Sequence, residues 1–197
     1  MGGVPLEFWA GAGLNLSLTA RWPESVKLAV NISPVQFRSR NLVQVVISAL
    51  ANAGLQPERL ELEITENVQL NDTAGNVEML LKLRECGVQI AMDDFGTGYS
   101  RLGYLREFPF DKIKIDRSFV RDLHDRNAQS IVKAVTSLAT ALSIATTAGA
   151  VETVEQLKQL RVEGCDEVQC FLISRPRPAA ELAELTGWPR RDEARAA

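Results

Sequence analysis

Histidine is almost missing from this chain: His124 is the single one among 197 residues, and it sits in the polar stretch Arg121-Asp-Leu-His-Asp-Arg126. Mechanisms that need a histidine base or several histidine ligands are thereby nearly excluded. Cysteine is scarce as well. Cys86, Cys165 and Cys170 form no Cys-x-x-Cys pair and leave one thiol unpaired under any connectivity, which argues against a disulfide framework or a thiolate zinc site. They are expected to be small buried thiols. No apolar run approaches the roughly 18 to 20 residues that span a bilayer, and the opening MGGVPLEFWAGAGLNLS has no basic stretch of the kind that starts a secretory signal. The expectation is a cytoplasmic protein without a membrane segment. With 22 Lys+Arg against 25 Asp+Glu and no basic block, a net charge of −3 argues against a nucleic acid polymer as partner. Catalysis, if any, is left to carboxylates, lysines and bound metal.

What is present is a soluble-protein composition, 46% apolar and 24% charged, arranged in alternation. Short apolar-alternating runs take turns with longer stretches of helical period, the pattern of βα units in a parallel sheet. The strand candidates are Lys27 to Ile32, Leu60 to Thr65, Val88 to Asp93, Lys112 to Asp116, a poor one at Ile144 to Ala148, and Glu167 to Phe171. Between them, Leu42, Val45, Val46, Ala49 and Leu50 mark one helical face, and Ile131, Val135, Leu138 and Leu142 another. Thr153 and Gln156 have the spacing of a capping box, and Gly54, Gly87 and Gly164 stand where helix C-caps belong. A (β/α)8 barrel has eight such units in about 250 residues. Six units in this chain predict either an open α/β sheet or a barrel missing its beginning, with one helix drawn from the first 25 residues and a frayed tail over the last ten.

Side chains alternate across a strand, so each run divides into two faces. Leu28, Val30 and Ile32 oppose Asn31; Leu60, Leu62 and Ile64 oppose Glu61, Glu63 and Thr65; Val88, Ile90 and Met92 oppose Asp93; Ile113 and Ile115 oppose Lys114; Val168 opposes Gln169. The polar set gathers toward the C-terminal ends of the strands, where parallel α/β folds place their chemistry. Carboxylates and carboxamides together suit a hard cation such as Mg²⁺, Mn²⁺ or Ca²⁺. Two plainer readings stand beside this one: half-buried strands whose polar face meets solvent, and structural carboxylates satisfied by neighbours. The Gly-rich loop after Asp93-Asp94 adds backbone N–H groups that can approach an anion.

The motifs Asn31-Ile-Ser33, Glu61-Leu-Glu-Ile-Thr-Glu66, Asp93-Asp-Phe-Gly-Thr-Gly-Tyr-Ser100, Asp111-Lys-Ile-Lys-Ile-Asp-Arg-Ser-Phe119, Val151-Glu-Thr153, Gly164-Cys-Asp-Glu-Val-Gln169 and Ser174-Arg-Pro176 occur in order and at fitting spacing. Over roughly Val26 to Thr186 the chain resembles the EAL domain, the cyclic di-GMP-specific phosphodiesterase family of bacterial signalling. The resemblance implies an α/β fold, a TIM-type (β/α)8-like barrel that is here N-terminally truncated. It also implies Mg²⁺ or Mn²⁺ ions that activate water against one phosphodiester. Carried onto this sequence, it makes Asn31, Glu63 and Asp93 metal ligands and gives Asp94 to the second metal. Lys114 orients the attacking water, Gln169 and Pro176 contact the ligand, and Glu66 and Glu152 support the loop at Asp94 to Leu102. Two metals about 3.5 to 4 Å apart can stabilise attacking and leaving oxygens without any histidine.

The sequence also departs from the family pattern. It contains no Glu-Ala-Leu tripeptide, and where relatives have Ala-Glu-Gly-Val-Glu it reads Ala148-Gly149-Ala150-Val151-Glu152, so that Gly149 stands at a lost ligand position. Three readings follow. The first is a degenerate domain without hydrolysis, its catalytic Lys114 and Asp94 vestigial. It would act as a regulatory, ligand-binding or interaction module that binds cyclic di-GMP weakly at most and carries Mg or Mn only if the site fills. The second is an active phosphodiesterase yielding linear pGpG, completed by a partner chain. The third is a truncated reading frame whose fold survives without a selected function. The expected organisation is a helical cap over 1–25, an EAL-like domain over 26–187 and a flexible tail over 188–197, assembled as a homo-oligomer.

Overall fold

The computed structural model describes residues 16–37, 39, 41–65, 73–96, 103–170 and 172. Residues 16–20 are helical. Then follow β1 (Leu28–Ile32), α1 (Pro34–Phe37), α2 (Leu42–Ala53), a 3₁₀ turn (Pro57–Arg59), β2 (Leu60–Thr65), α3 (Thr73–Glu85) and β3 (Gln89–Phe95). The chain continues through α4 (Gly103–Glu107), β4 (Lys112–Ile115), α5 (Arg117–Arg121), α6 (Arg126–Ala141), β5 (Ala145–Val151), α7 (Val154–Val162) and β6 (Glu167–Cys170). All six strands are parallel and adjoin in chain order, β1 to β6. Lys112 on β4 reaches carboxylates on both β2 and β6, each two strands away, with 2.7 Å contacts. Such contacts require a sheet curled around β4, so the six strands form a half-barrel of the (β/α) type with its helices outside.

The apolar face of every strand turns outward under the helices. Leu60, Leu62, Ile64, Ile90, Met92, Ile113, Ile115 and Ala148 are buried there with Val46, Leu50, Leu80, Leu83, Val120, Val132 and Leu160 from the helices. Each of these side chains larger than alanine contributes about 1.5 to 3 kcal/mol by leaving water. Helix α7 starts with the expected capping box, Gln156 N donating to Thr153 Oγ1 at 3.2 Å and Thr153 N to Gln156 Oε1 at 3.1 Å. Helix α6 corrects the expected stripe: Ala128, Val132, Val135, Thr136 and Ala139 are buried while Ile131 is 40% exposed. Ala and Thr carry part of that inner face, so a reading weighted to large apolar residues places it one position off.

Strands β3 and β5 run further than the alternation predicts, to Phe95 and Val151, because each contains a bulge near its C-terminal end. The extra residue, Asp94 or Ala150, breaks the period of two. Cys86 and Cys165 are half-buried rather than buried. Arg59 ties down residues 16–27: its guanidinium donates to the carbonyls of Thr19 (2.5 Å), Pro23 (3.2 Å) and Val26 (2.9 Å). Among the described residues no helix is long and apolar enough to cross a membrane.

Candidate functional site

The concave face carries what the apolar alternation leaves over. Asn31 on β1 stands in register with Glu63 on β2, and Thr65 with Asp93 on β3. Lys114 Nζ on β4 lies 2.8 Å from Glu63 Oε2 and 3.3 Å from Asp93 Oδ2. Three of the expected residues are therefore in direct contact, two carboxylates sharing one ammonium. Burial pulls the Lys114 ammonium down, but hydrogen bonding and attraction to Glu63, joined by Asp93, outweigh it and hold the group above the ordinary lysine range. Burial in turn pushes the Glu63 carboxyl up against the pull of Lys114.

Asp94 sits on the β3 bulge at φ 56°, and its N–H donates to Asp93 Oδ1 at 3.0 Å. Burial, followed by the charges of Asp93 and Asp116, raises its carboxyl above the usual range. Asn31 is exposed on β1, an edge strand among the described residues, Gln169 is exposed on β6, and Glu152 is exposed just past β5. Glu66 and Pro176 lie outside the described residues, as does most of the loop after Gly96. Gly149 occupies the β5 bulge, and a Cβ built there would meet nothing within 4 Å.

One part of this face escaped the sequence reading. Two residues below the first cluster, Lys112 Nζ bridges Glu61 Oε2 and Glu167 Oε2, both at 2.7 Å, and Thr147 Oγ1 donates to Glu167 at 3.1 Å. The signal was available: Glu61 and Glu63 share a face with one another, as do Lys112 and Lys114, so two layers of charge follow from the period of two. Alternate strands filling one layer is the barrel rule.

The donors Asn31, Glu63 and Asp93 are hard oxygens that fit one Mg²⁺-like cation. On the β5 side Gly149 and Ala150 offer no carboxylate for a second. Among the described residues no three His, Cys, Asp or Glu side chains converge well enough to hold an ion by themselves.

Comparison with known proteins bears on this polar face. A profile of the EAL domain matches residues 15–176. The chain belongs to the EAL domain family. It is 47% identical over 166 residues to the uncharacterized protein y4lL of Sinorhizobium fredii, covering 84% of this chain and 20% of that one. To the cyclic di-GMP phosphodiesterase NbdA of Pseudomonas aeruginosa it is 41% identical over 172 residues, covering 87% of this chain and 22% of that one. The chain thus spans about a fifth of these curated relatives. Among solved structures, the EAL domain of Mycobacterium smegmatis DcpA superposes with a TM-score of 0.88 at 35% identity, covering 94% of this chain and 86% of that one. The manganese and cyclic di-GMP complex of Klebsiella pneumoniae BlrP1 superposes with a TM-score of 0.76 at 33% identity, covering 89% and 49%.

Proposed function

We propose that this chain is an EAL domain of cyclic di-GMP signalling that has lost phosphodiesterase turnover and serves as a regulatory or ligand-binding module. The observation that carries the reading is the β5 bulge: it keeps the backbone of the β3 bulge but presents Gly149 and Ala150 where β3 presents Asp93 and Asp94. In this reading Asn31, Glu63 and Asp93 would hold a single Mg²⁺ or Mn²⁺ if the site fills, with Asp94 beside it. Such an ion, when bound, would polarise water and phosphate oxygens. Lys114 lies among these oxygens, at the position the family uses to orient water, and Gln169 and Pro176 match positions that would contact the ligand. Glu66 and Glu152 match the positions that would support the loop at Asp94 to Leu102. One cation with too few anionic donors around it does not supply the paired stabilisation of attacking and leaving oxygens that rapid hydrolysis needs.

The test is incubation of the chain with cyclic di-GMP and Mn²⁺ or Mg²⁺, with separation of the linear dinucleotide, alongside calorimetric titration of the same ligand. No linear product is expected, and Gly149→Glu alone is expected to leave it so, because the chain still has no Glu-Ala-Leu glutamate. Turnover that disappears with chelator and with Asp93→Ala overturns the proposal. The second reading, a phosphodiesterase completed by a partner chain, is favoured by the close Glu63, Asp93 and Lys114 cluster. It predicts turnover that rises with the square of protein concentration. Self-association belongs to the same proposal: among the described residues β1 is one of the two edge strands of the sheet, paired to β2 alone, with Ala29 and Asn31 exposed. Such an edge invites a second copy. Sedimentation at micromolar concentration is expected to give a dimer, and a compact monomer would remove this part of the reading.

A further inference from the structure

We infer that the ammonium of Lys114 is the resident cation of the Glu63 and Asp93 cluster, so that a divalent ion binds there only in competition with it. Lys114 Nζ contacts Glu63 Oε2 at 2.8 Å and Asp93 Oδ2 at 3.3 Å, and so joins β2 to β3 from its place on β4. These are two of the oxygens that a hard cation would take at about 2.0 to 2.6 Å. An ion on these oxygens would compete with the ammonium for them and would lie within a few ångströms of a positive charge that is only 13% exposed and poorly screened.

The charges nearby offset that repulsion only in part. Glu63, Asp93 and the adjacent Asp94 contribute −3 and Lys114 +1, and the β5 side of the site adds no further carboxylate, since Gly149 and Ala150 carry nothing. The layer below is already committed, with Lys112 saturated by Glu61 and Glu167. The inference rests on the proposed function only for the class of ion that competes.

The experiment uses the 197-residue chain, Mn²⁺ as probe with free ion read by electron paramagnetic resonance, and thermal melts in EDTA and in Mn²⁺. The wild-type chain is expected to melt at the same temperature in both. Lys114→Met should bind Mn²⁺ about tenfold tighter or more, melt lower in EDTA, and recover in Mn²⁺. Lys112→Met removes an ammonium from the next layer and should leave Mn²⁺ affinity at the wild-type level. If Lys114→Met does not fold, Lys114→Gln keeps a hydrogen-bond donor without the charge and should show the same gain in affinity. Mn²⁺ affinity unchanged or weakened in the Lys114 variants overturns the inference, as does an equal gain in Lys112→Met. Neither readout involves a nucleotide, so turnover on cyclic di-GMP would overturn the proposed function and leave this inference standing.

Discussion

Strands β3 and β5 break register at the same place, between Met92 and Phe95 against β4 and between Ala148 and Val151 against β6. Each is seven residues long, and each puts one residue of its bulge into the left-handed region, Asp94 at φ 56° and Ala150 at φ 55°. The strands that follow are introduced by aspartates in the same role: Asp111 Oδ2 accepts the Ile90 amide at 2.9 Å, and Asp166 Oδ2 accepts the Thr146 amide at 2.8 Å. On this shared backbone plan the first unit carries Asp93, Asp94 and Lys114, and the second carries Gly149, Ala150 and Gln169. Alanine has no side-chain group that favours a positive φ. Its presence in that conformation means the bulge is imposed by the sheet, and that the site's chemistry can be removed without disturbing the frame that would aim it.

The largest effect is expected where the two units are joined. Lys112 belongs to the first and Glu167 to the second, and the bridge also reaches Glu61, whose side chain is 8% exposed. Lys112→Met leaves Glu61 buried with its partner gone and should cost about 2 to 4 kcal/mol in urea unfolding. Lys112→Met with Glu61→Leu should recover most of that, since an apolar pair replaces a buried ionic one at little cost. Alkali probes the same bridge. Burial pulls Lys112 down, but Glu167 and Glu61 together hold it above the ordinary lysine range. A raised lysine stabilises the fold fully below its unfolded value, near 10.4, and the contribution is lost as pH rises through the folded value. The wild-type chain should therefore lose stability above about pH 10, and the Lys112→Met profile should be flatter there.

A smaller effect tests whether the units are equivalent. Asp111→Ala and Asp166→Ala each leave a strand amide without its acceptor, at about 1 to 3 kcal/mol. The two losses should agree closely. The partners lost besides those amides are Arg84, on an exposed side of Asp111, and the Thr146 hydroxyl on Asp166. Denaturant midpoints decide it, and a loss confined to one variant would mean that the resemblance between the units is geometric only.

How much of this was legible in the sequence follows from the same comparison. Strand β2 was readable to its ends because Leu60 to Thr65 alternates without interruption, and its register carries Glu61 and Glu63 onto the face opposite the helices. The last residues of β3 and β5 were not, because a bulge is a property of the backbone between two strands and leaves no mark in a period of two. The contact of Lys114 with Glu63 and Asp93 was legible only as a shared face. That one ammonium spans two carboxylates depends on sheet curvature, which no local pattern encodes. The bridge from Lys112 to Glu61 and Glu167 was missed for the same reason, since it joins residues 106 positions apart in sequence, Glu61 and Glu167, through a third strand.

The finest distinction lies at the two left-handed residues. An L-residue in that region is strained by about 1 to 2 kcal/mol, and glycine gives back roughly 0.5 to 1 kcal/mol through the entropy it adds to the unfolded chain. Ala150→Gly should therefore raise stability by about 0.5 kcal/mol, equally at neutral and acid pH. Asp94 differs because its strain is combined with a charge problem: burial, Asp93 and Asp116 all disfavour its ionised form. A carboxyl raised in this way stabilises the fold below its unfolded pKa and loses that contribution as pH rises through the folded value. Asp94→Asn should thus be stabilising at neutral pH and neutral or unfavourable near pH 3, where the carboxyl it replaces is already protonated. Melting curves for the two variants at both pH values separate the effects. A gain for Asp94→Asn that persists unchanged at acid pH would show that its bulge is limited by backbone strain alone, as at Ala150, and would erase the charge difference between the two left-handed residues.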